Sequence, residues 1–133
     1  MRTKTVLTLE DCKIIMKACH AEAEKNGWKV AIAVVDDAGY LLHLERQDGA
    51  SLQTAEIAQR KAFTASVGRN TTKVFEDLVK ERPGLAWMPD RLPVQGGIPV
   101  VKDGEVVGGI GVSGVKSHED EIVAEAGRKA LLG

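Results

Sequence analysis

Charge of one sign is lacking in this chain: eighteen basic residues stand against nineteen acidic ones, for a formal net charge of -1. That balance lacks the cationic excess that draws a protein to phosphate backbones or anionic lipid, so neither a nucleic-acid nor a membrane partner is expected. Cysteine is nearly absent, with only Cys12 and Cys19. Seven positions of one predicted helix separate them by about 10.5 Å along its axis, beyond the reach of a mutual disulfide, so reduced thiols are expected. No long apolar run occurs. The longest, Val30 to Val35, is far short of the roughly 18 residues that suggest a membrane span. Met1 to Thr5 lead into neither an apolar signal core nor a cleavage site, which points to the cytoplasm.

Of the 133 residues, 44% are hydrophobic and 28% charged, enough apolar surface to repay ordering. A chain of this length buries about two thirds of its extended surface. Residues 1–133 therefore read as a single domain.

Thr8 precedes apolar positions at helical spacing, Leu9, Cys12, Ile15, Met16, Cys19 and Ala23, and Asp11 completes a capping box. A helix over about 9–25 follows, stopped by Asn26-Gly27. The β-branched run Val30–Val35 reads as a central strand, Asp37-Ala38-Gly39 as a turn and Tyr40–Arg46 as its hairpin partner. Ser51 is placed to cap a second helix to about Val67, whose buried stripe is small: Ala55, Ala58, Ala62, Ala65 and Ser66. A third, short helix opens at Thr71 or Thr72 and ends near Arg82. Residues 83–97 carry Pro83, Pro89, Pro93, Trp87 and Gly96-Gly97 without a period, as a long functional loop would. Ile98–Lys102, Asp103-Gly104 and Glu105–Val112 read as a second hairpin, with Pro99 marking a sheet edge. Ser117 is placed to cap a last helix over 118–132. Hairpin-linked strands without βαβ crossovers predict an α+β domain with a mainly antiparallel sheet.

Gly109 to Gly114 spell G-x-G-x-x-G, but the strand before them is a hairpin partner and too little chain follows for a ribose-binding acid. The glycines instead suit close approach of a helix or ligand to the sheet. His20 lies about 80° round the first helix from Cys12, at the border of its apolar face. It suits either a packed side chain or an iron ligand. Cys12, Met16 and Cys19 lack metal-ligand spacing and read as core. In the proline-rich loop, Arg91, Trp87, Gln95, Gly96 and Gly97 bring a cation, a ring and free amides to one neighbourhood suited to a carboxylate ligand. Lys61 falls on the flank of the alanine stripe, either snorkelling to solvent or desolvated for acid/base or imine chemistry. Asp36-Asp37 reads first as turn chemistry.

Val34-Val35-Asp36-Asp37-Ala38-Gly39, Lys61-Ala62-Phe63-Thr64-Ala65, Gly96-Gly97-Ile98-Pro99 and Gly108–Gly114, in this order, resemble the haem-binding GlcG/HbpS-like family, which includes the C-terminal domain of PduO cobalamin adenosyltransferases. Asp120-Glu121 and Ala126-Gly127 fit as well, and the resemblance covers about Leu7 to Leu131. It implies a profilin-like or PAS-like α+β fold with a five-stranded antiparallel sheet, assembled as a homo-oligomer from dimer to octamer. The hairpins supply four strands, so the fifth is expected from residues 83–97 or the termini. The resemblance further implies binding of a small molecule, haem or a related tetrapyrrole, with His20 matching a first-helix histidine that ligates haem iron. A second implied activity is a cofactor-free lyase acting on a small aromatic acid, in which Arg91 would hold the carboxylate and Lys61, Asp36 or His20 would move protons.

Overall fold

The computed structural model describes all residues, Met1–Gly133. Helix α1 spans Leu9–Lys25, strands β1 and β2 span Ala31–Asp36 and Leu41–Arg46, and helices α2 and α3 span Thr54–Gly68 and Thr72–Glu81. A 3-10 turn at Pro83–Trp87 precedes strands β3 (Gly97–Lys102) and β4 (Glu105–Ser113), and α4 (Ser117–Leu132) ends the chain. The expected capping box is present. Thr8 Oγ1 accepts the Asp11 amide at 3.2 Å, and Asp11 returns a carboxylate oxygen to the Thr8 amide at 2.8 Å.

The four strands form one antiparallel sheet in the order β2-β1-β4-β3. The five strands implied by the resemblance are thus corrected to four. The 83–97 segment adds no strand before Gly97: three prolines remove amide donors, and others turn to side chains. Leu92 donates to Thr64 Oγ1 at 2.8 Å and Gln95 to Glu76 Oε1 at 3.3 Å. Residues 1–8 pair with no strand, and the C-terminus is helical. Pro99 lies on an edge strand, as expected, and Asp103 and Gly104 both take positive φ, 50° and 79°, in the two-residue turn.

Two caps differ from expectation. Ser51 sits in the turn before α2, its carbonyl accepting both the Thr54 amide (3.1 Å) and hydroxyl (2.7 Å), so the helix begins at Thr54. Ser117 is already helical. There Lys116 is the N-cap, its amide donating to Glu119 Oε1 at 3.2 Å.

Alternation along the central strands sorts large from small. Ile32 and Val34 of β1 pair with Val112 and Ile110 of β4, and these four face α1 and α4 in the main core with Ile15, Met16 and Val123. Each buried Val or Ile contributes about 1.5–3 kcal/mol. On the other face Ala31, Ala33 and Val35 meet Ala58 and Ala62 of α2. Gly109 and Gly111 lie between them in register with Val35 and Ala33. A Cβ on Gly111 would collide with the carbonyl oxygen of Ala58 and the amide of Ala62. The glycines therefore let α2 lie directly on the sheet.

Candidate functional site

His20 ends a hydrogen-bonded chain between α1 and β2. The Val30 amide donates to Gln47 Oε1 at 2.9 Å, which orients the Gln47 side chain so that its Nε2 donates to His20 Nδ1 at 2.9 Å. With Nδ1 accepting, the ring proton belongs on Nε2, where it faces Glu45 Oε1 at 2.6 Å. His43 Nε2 meets the other carboxylate oxygen at 3.0 Å. The period of two along a strand puts His43 and Glu45 on one face of β2, in register with Val34 and Ile32. Lys17, Ala21, Glu24, Lys29, Gln47 and Asp48 join His20 around an open cleft of about 720 Å³. Gln47 lines that cleft and Glu45 does not, so the nitrogen bearing the lone pair is the one behind the cleft's own amide.

His43, then His20, hold the Glu45 carboxyl below its ordinary value of 4.5, against a smaller opposing effect of burial. An acid depressed by folding contributes stability that is present above its unfolded value and lost as pH falls through the folded one. Urea unfolding of Glu45→Gln should therefore show a deficit relative to wild type near pH 6 that shrinks as the pH is lowered below about 4. A deficit independent of pH would contradict this.

Lys61 does not snorkel. Only 2% exposed, it donates through Nζ to the Val112 carbonyl at 3.0 Å and to Asp120 Oδ2 at 3.1 Å. Asp120 Oδ1 accepts the Val115 amide at 3.1 Å, so the pair ties α2, β4 and the start of α4 together. Burial pushes the Asp120 carboxyl up, more than the Lys61 charge lowers it. Gly96 leaves room for the ammonium: a Cβ there would lie 2.7 Å from Nζ. Gly97, also buried, exchanges hydrogen bonds with the Thr72 hydroxyl, which accepts its amide at 2.8 Å.

The other loop residues are dispersed. Trp87 is 86% exposed. Gln95 Nε2 donates to Glu121 Oε2 at 3.2 Å. Arg91 turns to α2, its guanidinium 5.3 Å from the Phe63 ring centroid, and donates to the Pro89 carbonyl at 3.0 Å. Asp36 Oδ1 accepts the Ala38 and Tyr40 amides at 2.9 and 2.8 Å, as turn chemistry requires. Lys61 and Asp36 are thus committed to structural bonds while Arg91 lines a cavity apart from them, so the lyase alternative has no assembled site.

The two thiols are core groups. Burial pushes Cys19 up to about 12, with Sγ donating to the Val123 carbonyl at 3.2 Å, and burial likewise raises Cys12. No three His, Cys, Asp or Glu side chains are grouped to hold a metal ion, and no helix is long and apolar enough to cross a membrane. Glu45, Gln47 and Asp120 fix the orientations of His20 and Lys61, and local sequence spacing does not pair Gln47 or Asp120 with them. The alternation of β2 was the one available signal for Glu45.

The description "Haem degrading protein HbpS-like" belongs to a family whose model matches residues 7–129. The chain is 43% identical over 114 residues to Protein GlcG of Escherichia coli strain K12, with 85% of each covered. It is similar to the crystal structure of a double mutant of HbpS from Streptomyces reticuli, with a TM-score of 0.94, 40% identity, and coverage of 100% of this chain and 91% of that one. It is also similar in fold to the crystal structure of a PduOC:heme complex, with a TM-score of 0.89, 24% identity and 96% of each chain covered. With a family model spanning nearly its whole length and a 43% identical relative over most of it, this chain belongs to the HbpS-like family, which is the GlcG/HbpS-like family its motifs resemble.

Proposed function

We propose that this protein binds haem or a related tetrapyrrole, with His20 as the ligand to the iron. The observation that carries this is the state of the His20 ring: its Nε2 proton is bonded to a carboxylate and its Nδ1 lone pair is covered only by a neutral amide at the edge of a broad cleft. Metal-ligating histidines characteristically donate their second ring nitrogen to a carboxylate or carbonyl, which fixes the tautomer and raises ligand basicity. Glu45 serves that purpose here, and displacing the Gln47 amide exposes the donor nitrogen without disturbing the charged partner. Lys17 and Lys29, on the cleft wall, suit the carboxylates of a tetrapyrrole. Bound haem supplies a redox-active iron and the Soret absorption that reports it. The family's description and the haem complex of a relative of the same fold support this choice of ligand.

Ala21 is the one apolar residue lining the cleft, so a single chain covers little of a porphyrin face. A second copy of the chain covers the other side of the ring in this account, consistent with the homo-oligomer implied by the resemblance. The test is a haemin titration of wild type and His20→Ala at equal concentration. Loss of the saturable Soret change in His20→Ala is expected; identical spectra and affinity in both would remove His20 as the ligand.

A further inference from the structure

We propose that His43 is a positioning residue for His20, fixing the Glu45 carboxylate in the orientation that holds the His20 ring. Its consequence for a bound iron rests on the haem-binding proposal. A carboxylate only accepts hydrogen bonds. Both histidines therefore present a protonated Nε2 to Glu45, His20 to Oε1 at 2.6 Å and His43 to Oε2 at 3.0 Å. Neither Glu45 nor His43 lines the cleft, so His43 acts on the iron ligand only through Glu45.

Glu45 needs an anchor because it is open to water. Its side chain is 46% exposed, and that of His43 only 20%. For a glutamate so exposed, rotamer freedom and hydration compete with any single contact. His43 is the stiffer partner because the strand holds it. The register of β2 on β1 is unbroken from Val34↔His43 to Ala31↔Arg46, and the irregularity falls just before that stretch. Alternation therefore keeps His43 and Glu45 on one face, whereas a slip between them would send them to opposite faces. Val34 and Ile32, paired with them on β1, are wholly buried and give the pair a fixed floor. A carboxylate on the second ring nitrogen raises the basicity of a ligating histidine, and such hydrogen bonding is one of the levers on a haem iron's potential. By keeping Glu45 on His20, His43 makes His20 a stronger donor and favours ferric iron.

Two substitutions separate this role from packing. His43→Phe keeps an aromatic ring and removes the donor, while His43→Gln removes the ring and keeps a donor nitrogen at the same number of bonds from Cβ. In the free protein the His20 Nε2 proton, on a short bond to a carboxylate, should give a far-downfield NMR signal protected from exchange with water. That signal should vanish in His43→Phe and in Glu45→Gln and return in His43→Gln. An unshifted methyl resonance of Met16, which lies in the main core, shows that each variant remains folded. With haem bound, His43→Phe and Glu45→Gln should each raise the iron's reduction potential and weaken haemin binding about tenfold. The double variant should match Glu45→Gln alone, because the two residues act in series. The proposal is overturned by absence of the protected proton from wild type, by its retention in His43→Phe, by its loss in His43→Gln, or by additive effects in the double variant. Non-saturating haemin titrations alongside the expected proton signals would remove the haem reading and support the hold of His43 on His20.

Discussion

Replacing Lys61 with methionine should cost about 3–5 kcal/mol of folding stability, the usual penalty for removing one member of a buried ion pair. Methionine is one heavy atom shorter than lysine and equally unbranched, so little cavity is created. What is lost is the partner of Asp120, a carboxylate only 2% exposed and held between α4 and β4, together with the ammonium that satisfies the Val112 carbonyl. The Asp120 carboxyl, already raised by burial, would rise further without the Lys61 charge. Adding Asp120→Asn should restore a large part of the stability, because asparagine still accepts the Val115 amide through Oδ1 and brings no charge into the core. Urea denaturation of the single and double variants measures both effects. A loss below about 1 kcal/mol for Lys61→Met, or no recovery in the double variant, would show that the pair is not the clamp described.

Gly111→Ala should also destabilise the fold. Overpacking in a closed core typically costs 1–3 kcal/mol, and here the added methyl meets the Ala58 carbonyl and the Ala62 amide, backbone atoms of α2 that no rotamer change can move aside. Separation of α2 from β1 and β4 would open the alanine-lined cluster and loosen the Lys61–Asp120 pair with it. A fall in melting temperature of roughly 10 °C or more is expected. Gly84→Ala is the control, since a Cβ there meets nothing within 4 Å and the backbone is not in the positive-φ region. Equal melting temperatures for the two variants would contradict the close approach of helix and sheet.

These two positions also show what was legible in the sequence. The small stripe of α2 and the glycines of β4 are local patterns, and each announced close packing before its partner was known. Elements bounded by Asn26-Gly27, Asp37-Ala38-Gly39 and Asp103-Gly104 were legible for the same reason, because a turn is written in adjacent residues. Lys61 was placed on the flank of its helix, but its burial depends on Asp120, 59 positions away, and on the space left by Gly96. Periodicity carries no such information. The irregularity of the proline-rich loop is written in its composition, which suggests that its residues converge. Instead Thr64, Glu76 and Glu121 draw Leu92 and Gln95 toward different elements, while Phe63 takes Arg91. Likewise the border position of His20 on α1 was visible, whereas its tautomer depends on Gln47 and on the backbone amide of Val30 across the fold.

Haem binding is tested most directly by a haemin titration of the purified protein at low micromolar concentration, followed at the Soret band. Saturation at a fixed ratio of haem to chain is the predicted result. A linear, featureless titration without a defined endpoint would contradict it.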